Sequence, residues 1–180
     1  YTFPAKYETY MSKLEQNNLN PFIILDYVNR HYDNGATPYT DEGRQGFANY
    51  GNAVIEHYSD QIRWVEVYNE FNIPYFGDLG NGPADARADY YYELLKKTYT
   101  EIKAKDPSIT VVGPATSKIP WEWLEELFEL GALDYLDVVS VHPYRHPYPP
   151  EELIEDMERL ESLIRHYNNG EMKPIWITEI

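Results

Sequence analysis

The stretch Val65-Glu66-Val67-Tyr68-Asn69-Glu70-Phe71-Asn72 (VEVYNEFN) begins as an apolar strand and ends on an amide beside a carboxylate. Burying an unpaired carboxylate costs free energy. Glu70 must therefore be paired, exposed at a loop junction, or retained for chemistry. Glu66 has the same strand parity as Glu70, and we expect it to be a buried carboxylate that an interior hydrogen-bond network satisfies.

Four other apolar runs are similar to this one. All five are rich in Val and Ile and mostly continuous rather than alternating, which is typical of strands covered on both faces. The predicted strands span residues 22–28, 62–68, 109–113, 138–142 and 174–178.

Helical patterns precede and separate the strands. Their apolar stripes are Tyr7-Tyr10-Met11-Leu14, Tyr91-Leu95-Thr98-Ile102, Trp123-Leu124-Leu127-Phe128 and Leu153-Met157-Leu160-Ile164. Alternating helices and strands predict an α/β fold with a parallel sheet, either doubly wound or closed as a (β/α)₈ barrel. Periodicity does not choose between these two.

Composition narrows the class of protein. The 180 residues, 43% of them apolar, suit one globular domain. A formal charge of −15 repels phosphate backbones, so a nucleic-acid partner is not expected. The chain has no Cys, which excludes disulfides, thiolate zinc sites and a Cys nucleophile. No apolar run approaches the ~20 residues that span a bilayer, and no membrane partner is expected.

The two ends of the chain indicate a fragment. It opens on Tyr1 and closes on Ile180, directly after a predicted strand, so we expect residues 1–180 to be part of a longer domain. Secreted and cytoplasmic locations both stay open, because a signal peptide could precede this segment.

Two motifs bear on cofactors. The glycines of FGDLGNGP, residues 76–83, have neither dinucleotide-binding nor P-loop spacing, so loop flexibility explains them better. His142 and His146 lie in a Pro-rich loop that cannot supply helical i, i+4 ligand geometry. We therefore expect no cofactor and no metal.

Polar or ionisable groups follow every predicted strand except the third. They are Asp26, Tyr27 and Asn29, then Asn69 and Glu70, then His142 and Tyr144, and finally Glu179. Barrel enzymes place catalytic groups at the carboxyl ends of several strands. Aromatic residues in or near these loops are candidates for stacking on sugar rings: Tyr27, Tyr75, Phe76 and Trp121.

Glu70 and Glu179 differ from the other carboxylates, because each follows an apolar strand directly and lies outside a solvated helix face. Glycoside hydrolysis needs two carboxyl groups at one cleft, one protonated to release the leaving oxygen and one ionised to attack. An amide such as Asn69 suits a hydrogen bond to the sugar hydroxyl beside the reacting carbon.

Three motifs resemble clan A glycoside hydrolases. VYNEFN resembles the Asn-Glu motif that closes strand four of that clan, VSVHPY its His-bearing strand six, and PIWITEI the strand seven that carries the nucleophile. With FIILDYVN upstream, the order is most similar to glycoside hydrolase family 39 and to relatives in family 5. The resemblance covers nearly the whole chain and implies a fragment of a (β/α)₈ TIM barrel covering about strands three to seven.

The resemblance also implies residue roles. Glu70 would be the acid/base, Glu179 the nucleophile and Asn69 the ligand of the 2-hydroxyl, while His142 or Tyr144 would position sugar or nucleophile. Phe71 and Tyr68 stand where many relatives have Pro and Trp, changes that should alter loop shape or stacking and spare the chemistry.

The implied function is retaining hydrolysis of β-linked glycosides or polysaccharides. The barrel would lack strands one, two and eight, so the fragment alone should be inactive. Two alternatives stay open. One is a sugar-binding barrel that has lost catalysis, and the other is a metal-dependent barrel with carboxylate ligands.

Overall fold

The computed structural model describes residues 1–147 and 149–180, which form alternating helices and strands. The helices are α1 (Ala5–Gln16), α2 (Asp41–His57), α3 (Pro74–Gly77), α4 (Ala88–Lys105), α5 (Trp121–Glu129) and α6 (Leu153–Tyr167). The strands are β1 (Phe22–Leu25), β2 (Trp64–Val67), β3 (Thr110–Ser117), β4 (Val138–His142) and β5 (Ile175–Ile177). Short 3₁₀ turns occupy Asp33–Gly35, Leu79–Asn81, Ala132–Tyr135 and Pro150–Glu152.

All five strands are parallel and are ordered β1-β2-β3-β4-β5 across the sheet. A doubly wound sheet reverses its strand order at a switch point. The strictly sequential order therefore favours the barrel and confirms the predicted parallel α/β arrangement.

The sheet is curved, because its two edge strands approach each other on the concave side. The rings of Phe22 on β1 and Trp176 on β5 lie 5.9 Å apart, and the ring of Trp64 on β2 lies 6.4 Å from Trp176. A flat five-stranded sheet would separate its edge strands by about 19 Å, since neighbouring strands are ~4.8 Å apart. The helices cover the convex side, where α2 packs on α4, α4 on α5 and α5 on α6.

Helix α2 has no counterpart among the predicted helical stripes. Thr40 caps it by accepting a hydrogen bond from the Gly43 amide at 3.0 Å. Its glycines obscure the apolar pattern, but they allow close packing: a Cβ on Gly46 would lie 2.7 Å from the Tyr32 ring, and one on Gly51 2.9 Å from Leu25.

Two of the predicted strand boundaries need a physical correction. Strand β1 ends at Leu25 rather than at residue 28, and β3 continues to Ser117 rather than ending at residue 113. The register between β3 and β4 shifts between Gly113 and Thr116, so the strand passes Pro114 through a bulge. The third strand therefore also ends on polar residues, contrary to the prediction.

Within the described ranges, no helix is long and apolar enough to cross a membrane.

Candidate active site

The turn after β2 presents Asn69 and Glu70 from a constrained backbone. Tyr68 and Glu70 have φ values of 68° and 48°, in the left-handed region that non-glycine residues rarely adopt. The Glu70 amide donates to the Ala115 carbonyl at 2.9 Å, so the β3 bulge supports this turn. Asn72 fixes the following residues, because its side chain and the backbone of Ser117 exchange hydrogen bonds of 2.8 and 3.0 Å.

Strain of this kind costs about 1–3 kcal/mol for each residue and persists only where the surroundings determine it. The consequence here is that neighbouring side chains reach opposite sides of the site. Asn69 contacts a residue after β1, while Glu70 contacts a residue of β4.

His142, the last residue of β4, joins the two predicted catalytic carboxylates. Its Nδ1 lies 3.2 Å from Glu70 Oε1 and 3.7 Å from Glu179 Oε2. His142 is fully buried and Glu70 is 7% exposed. Both carboxyl groups therefore converge on one imidazole at the carboxyl ends of β2, β4 and β5.

Tyr144 holds the other oxygen of Glu179. Its hydroxyl donates to Glu179 Oε1 at 2.5 Å, while Oε2 is the oxygen that faces His142. Partial burial, followed by the hydrogen bond to Glu179 and its charge, raises the pKa of the Tyr144 phenol. Tyr144 thus remains a hydrogen-bond donor to Glu179 Oε1.

The residues after β1 form a second part of the site. Asn69 Nδ2 donates to the Tyr27 hydroxyl at 3.0 Å, and the Tyr27 ring stacks on Phe76 with 5.3 Å between centroids. Asp26, Tyr27 and Asn29 line a cavity of about 260 Å³. Burial raises the pKa of Asp26. An open cavity lined by carboxylate, amide and aromatic groups suits a polyhydroxylated ligand.

A buried chain of polar groups lies below His142. Thr178 Oγ1 is 3.1 Å from His142 Nε2 and donates to Glu66 Oε1 at 2.9 Å. Glu66 is fully buried, and its Oε2 has no hydrogen-bond partner among the described residues. The prediction that an interior network satisfies Glu66 is therefore correct for one oxygen and wrong for the other.

Trp121 is the predicted ligand-binding residue that the described contacts do not join to the others. It begins α5, and the Arg159 guanidinium of α6 lies 3.9 Å from its ring centroid. Asn29 joins the cavity, but its side-chain oxygen accepts from the His31 amide.

Several residues of the site escaped sequence reasoning. Thr178 is the last residue of the predicted strand 174–178, so its hydroxyl was assigned to the strand. Its position immediately before Glu179 is the signal that points to the site. Tyr32, Asp33 and Tyr50 line the cavity from a loop and from α2, which the apolar stripes did not reveal. Within the described ranges, no group of three His, Asp or Glu side chains is placed to hold a metal ion.

Known proteins similar to this chain are glycoside hydrolases. The family described as glycosyl hydrolase catalytic core matches residues 9–180. A β-xylosidase of Geobacillus stearothermophilus is 28% identical over 71% of this chain and 29% of that protein.

Solved structures share the fold. A family 39 glycoside hydrolase of Bacteroides cellulosilyticus WH2 superposes with a TM-score of 0.76 and 22% identity over 99% of this chain. A monomeric β-xylosidase of Caulobacter crescentus CB15 has a TM-score of 0.72 and 22% identity over 97% of it. This chain spans only 39% and 40% of those two chains, and so matches part of their TIM-barrel catalytic domains.

Proposed function

Because the chain belongs to the family of glycosyl hydrolase catalytic cores, we propose that it carries the two catalytic carboxyl groups of a retaining β-glycoside hydrolase. The observation that carries this proposal is the convergence of Glu70 Oε1 and Glu179 Oε2 on His142 Nδ1, at 3.2 and 3.7 Å. The two oxygens therefore cannot lie more than 6.9 Å apart, which is the sum of these distances. Such a short bound favours retaining geometry, with carboxyl groups ~5–5.5 Å apart, over most of the inverting range of ~6.5–9.5 Å.

In the first step, Glu179 attacks the anomeric carbon and Glu70 gives its proton to the departing glycosidic oxygen. One carbon–oxygen bond forms as the other breaks, which leaves a covalent glycosyl-enzyme and an ionised Glu70. In the second step Glu70 takes a proton from water, and the hydroxide released attacks the anomeric carbon and frees Glu179.

The neighbouring groups have supporting roles in this scheme. Tyr144 donates to Glu179 Oε1 and so orients Oε2 for attack. Asn69, held by Tyr27, binds the 2-hydroxyl of the sugar, where hydrogen bonds strengthen in the transition state. The cavity with Asp26, Tyr27 and Asn29 receives further hydroxyl groups of the carbohydrate.

We propose that the active enzyme adds three strands to the five described here. Strands β1 and β5 are each paired on one side only, and unpaired edges invite association with other chains. The 180-residue chain alone should therefore bind hydrophobic dye or aggregate and should hydrolyse nothing. A monomeric, cooperatively melting chain would contradict this domain assignment.

The names of two relatives support a choice of first substrates. Two of them are named β-xylosidases, so aryl β-xylosides are the first substrates to test on the complete catalytic domain. Binding of xylo-oligosaccharides without turnover would instead indicate a carbohydrate-binding barrel without catalysis.

Azide rescue tests the two roles. In Glu70→Ala, azide should enter beside the glycosyl-enzyme and release a β-glycosyl azide, because two inversions precede its release. In Glu179→Gly, azide should occupy the vacated space and give the α-anomer after a single inversion. The matched control is Glu161→Ala, which removes an exposed carboxylate on α6 and should form no azide product. The same anomer from both active-site variants would refute the assignment.

A further inference from the structure

A chain of hydrogen bonds runs from Glu66 through Thr178 and His142 to Glu70. The two-step reaction does not use Glu66 or Thr178. Glu66 lies on β2 and Thr178 follows β5, so their 2.9 Å hydrogen bond crosses the concave interior of the sheet. The chain continues from Thr178 to His142 Nε2 at 3.1 Å and from His142 Nδ1 to Glu70 Oε1 at 3.2 Å.

The number of protons available in this hydrogen-bond chain decides which group donates and which accepts at each contact. An ionised Glu66 can only accept, so the single hydroxyl proton of Thr178 points to Glu66. The contact between Thr178 and His142 then requires a proton on His142 Nε2. In the neutral ring this leaves Nδ1 without a proton, and the hydrogen bond to Glu70 forms only when Glu70 is protonated.

We propose that Glu66 is a positioning residue that keeps the catalytic proton on Glu70, by fixing the tautomer of His142 through the hydroxyl of Thr178. This inference rests on the proposed role of Glu70 as the acid/base. The positioning role applies to both steps, because a His142 Nδ1 without a proton also favours the return of a proton to Glu70 after the leaving group has departed.

The burial of Glu66 supports a functional reason for this residue. A fully buried carboxylate costs stability, and an apolar side chain would avoid that cost. Burial raises the pKa of Glu66, an effect that the nearby Ser140 and Thr178 hydroxyls partly oppose. When Glu66 is protonated it can donate to Thr178, and the direction of the whole chain reverses.

Other titratable groups face this chain and must be considered in any pH profile. They are Tyr27 after β1, Tyr91 of α4, Tyr144 after β4 and Glu179 after β5. None of their side chains forms a hydrogen bond with the Thr178 hydroxyl, so removing that hydroxyl separates the effect of the hydrogen-bond chain from theirs.

The test compares the pH profile of kcat/KM for Thr178→Val with that of the wild type, both in the complete catalytic domain. With an aryl β-xyloside whose leaving group needs a proton, the alkaline limb should move down by about one pH unit, the scale of one lost hydrogen bond. With an activated leaving group the limb should not move, because no proton transfer is needed. Thr178→Ser restores the hydroxyl and should restore the limb.

Two further variants complete the design. Glu66→Leu removes the acceptor of the Thr178 proton and should shift the limb in the same direction, and the double variant should shift it no further than either single change. Thr98→Val is the matched control, because Thr98 is buried on α4 and its hydroxyl has no partner among the described residues. It should leave both profiles in place.

The outcomes separate the two proposals. An active wild-type domain whose alkaline limb is unchanged in Thr178→Val overturns this inference alone, as would an equal shift with the activated substrate. A wild-type domain that hydrolyses no β-glycoside overturns the proposed function and this inference together.

Discussion

Glu70 and Glu179 contact the same nitrogen of His142 but are held in different ways. The Glu70 side chain is 9% exposed, and the residue sits on a left-handed backbone turn that the β3 bulge supports. The Glu179 side chain is 51% exposed and is held by a hydrogen bond from the Tyr144 hydroxyl. One carboxylate is positioned mainly by backbone and the other mainly by side chains.

This difference suits the two proposed roles. A proton donor benefits from burial and a fixed direction, since it must stay protonated until the leaving group departs. A nucleophile benefits from exposure and from a donor that stabilises its charge. Changes to backbone supports should therefore affect the acid step, whereas changes to side-chain supports should affect the attack.

The largest effect should come from removing each carboxylate in the complete domain. Glu179→Gly should lower turnover of activated and unactivated aryl β-xylosides alike, by ~10⁴-fold or more, the scale of nucleophile loss in hydrolases. Glu70→Ala should lower kcat/KM for the unactivated substrate by ~10²–10⁴-fold and spare the activated one. Steady-state kinetics across a series of leaving groups measures both, and equal losses for both variants would remove the distinction.

A smaller effect should follow from Tyr144→Phe, which deletes the donor to Glu179. Hydrogen bonds to charged groups are worth about 1.5–3 kcal/mol, so kcat/KM should fall by ~10–100-fold. The loss should be equal for good and poor leaving groups, because attack by Glu179 is needed for both. Tyr10→Phe, which changes a 69% exposed Tyr on α1, is the matched control, and a loss confined to poor leaving groups would contradict the role of Tyr144.

The backbone support of Glu70 is tested by Asn72→Ala. This change breaks both hydrogen bonds with Ser117 and should lower the free energy of unfolding by about 1–3 kcal/mol. It should also lower kcat/KM about tenfold for unactivated substrates only, because the Glu70 turn loses its anchor. Asn52→Ala, which breaks a single bond to the Glu101 carbonyl, provides a comparison by thermal melting and kinetics. Kinetic losses that do not depend on the leaving group would contradict the role of Asn72 as the anchor of the Glu70 turn.

The succession of strands and most helices along the chain could be predicted because apolar periodicity records which faces are buried. Helix α2 was missed because Gly46 and Gly51 interrupt its apolar pattern. These positions are small because they pack closely against Tyr32 and Leu25, a reason visible only in three dimensions. The length of β3 was wrong because the bulge at Pro114 and Ala115 interrupts the apolar run without ending the strand.

The site was predictable where side chains follow strands, since topology brings those ends together. The contact of Glu70 and Glu179 with His142 depends on the sheet curving, which follows from strand order and not from any local pattern. The link between Glu66 and Thr178 joins residues 112 positions apart. No local feature of the sequence pairs them, so the chain below His142 could not be anticipated.

The smallest expected effect concerns the stability contributed by Glu66. Burial raises the pKa of folded Glu66 above its value in the unfolded chain, which is about 4.3. Between those two pH values the folded protein binds more protons than the unfolded one, so the Glu66 contribution to stability falls as pH rises through this window. Glu66→Gln keeps the shape and an acceptor for Thr178 but does not ionise. The difference in unfolding free energy, variant minus wild type, should therefore be constant below about pH 4, increase as pH rises to the folded pKa, and become constant again. Urea unfolding of the complete catalytic domain, wild type and variant, at a series of pH values measures this difference, in which the contributions of all other groups cancel. A difference that does not change with pH would mean that Glu66 ionises in the folded protein as freely as in the unfolded chain, and that burial does not act on the proton chain leading to Glu70.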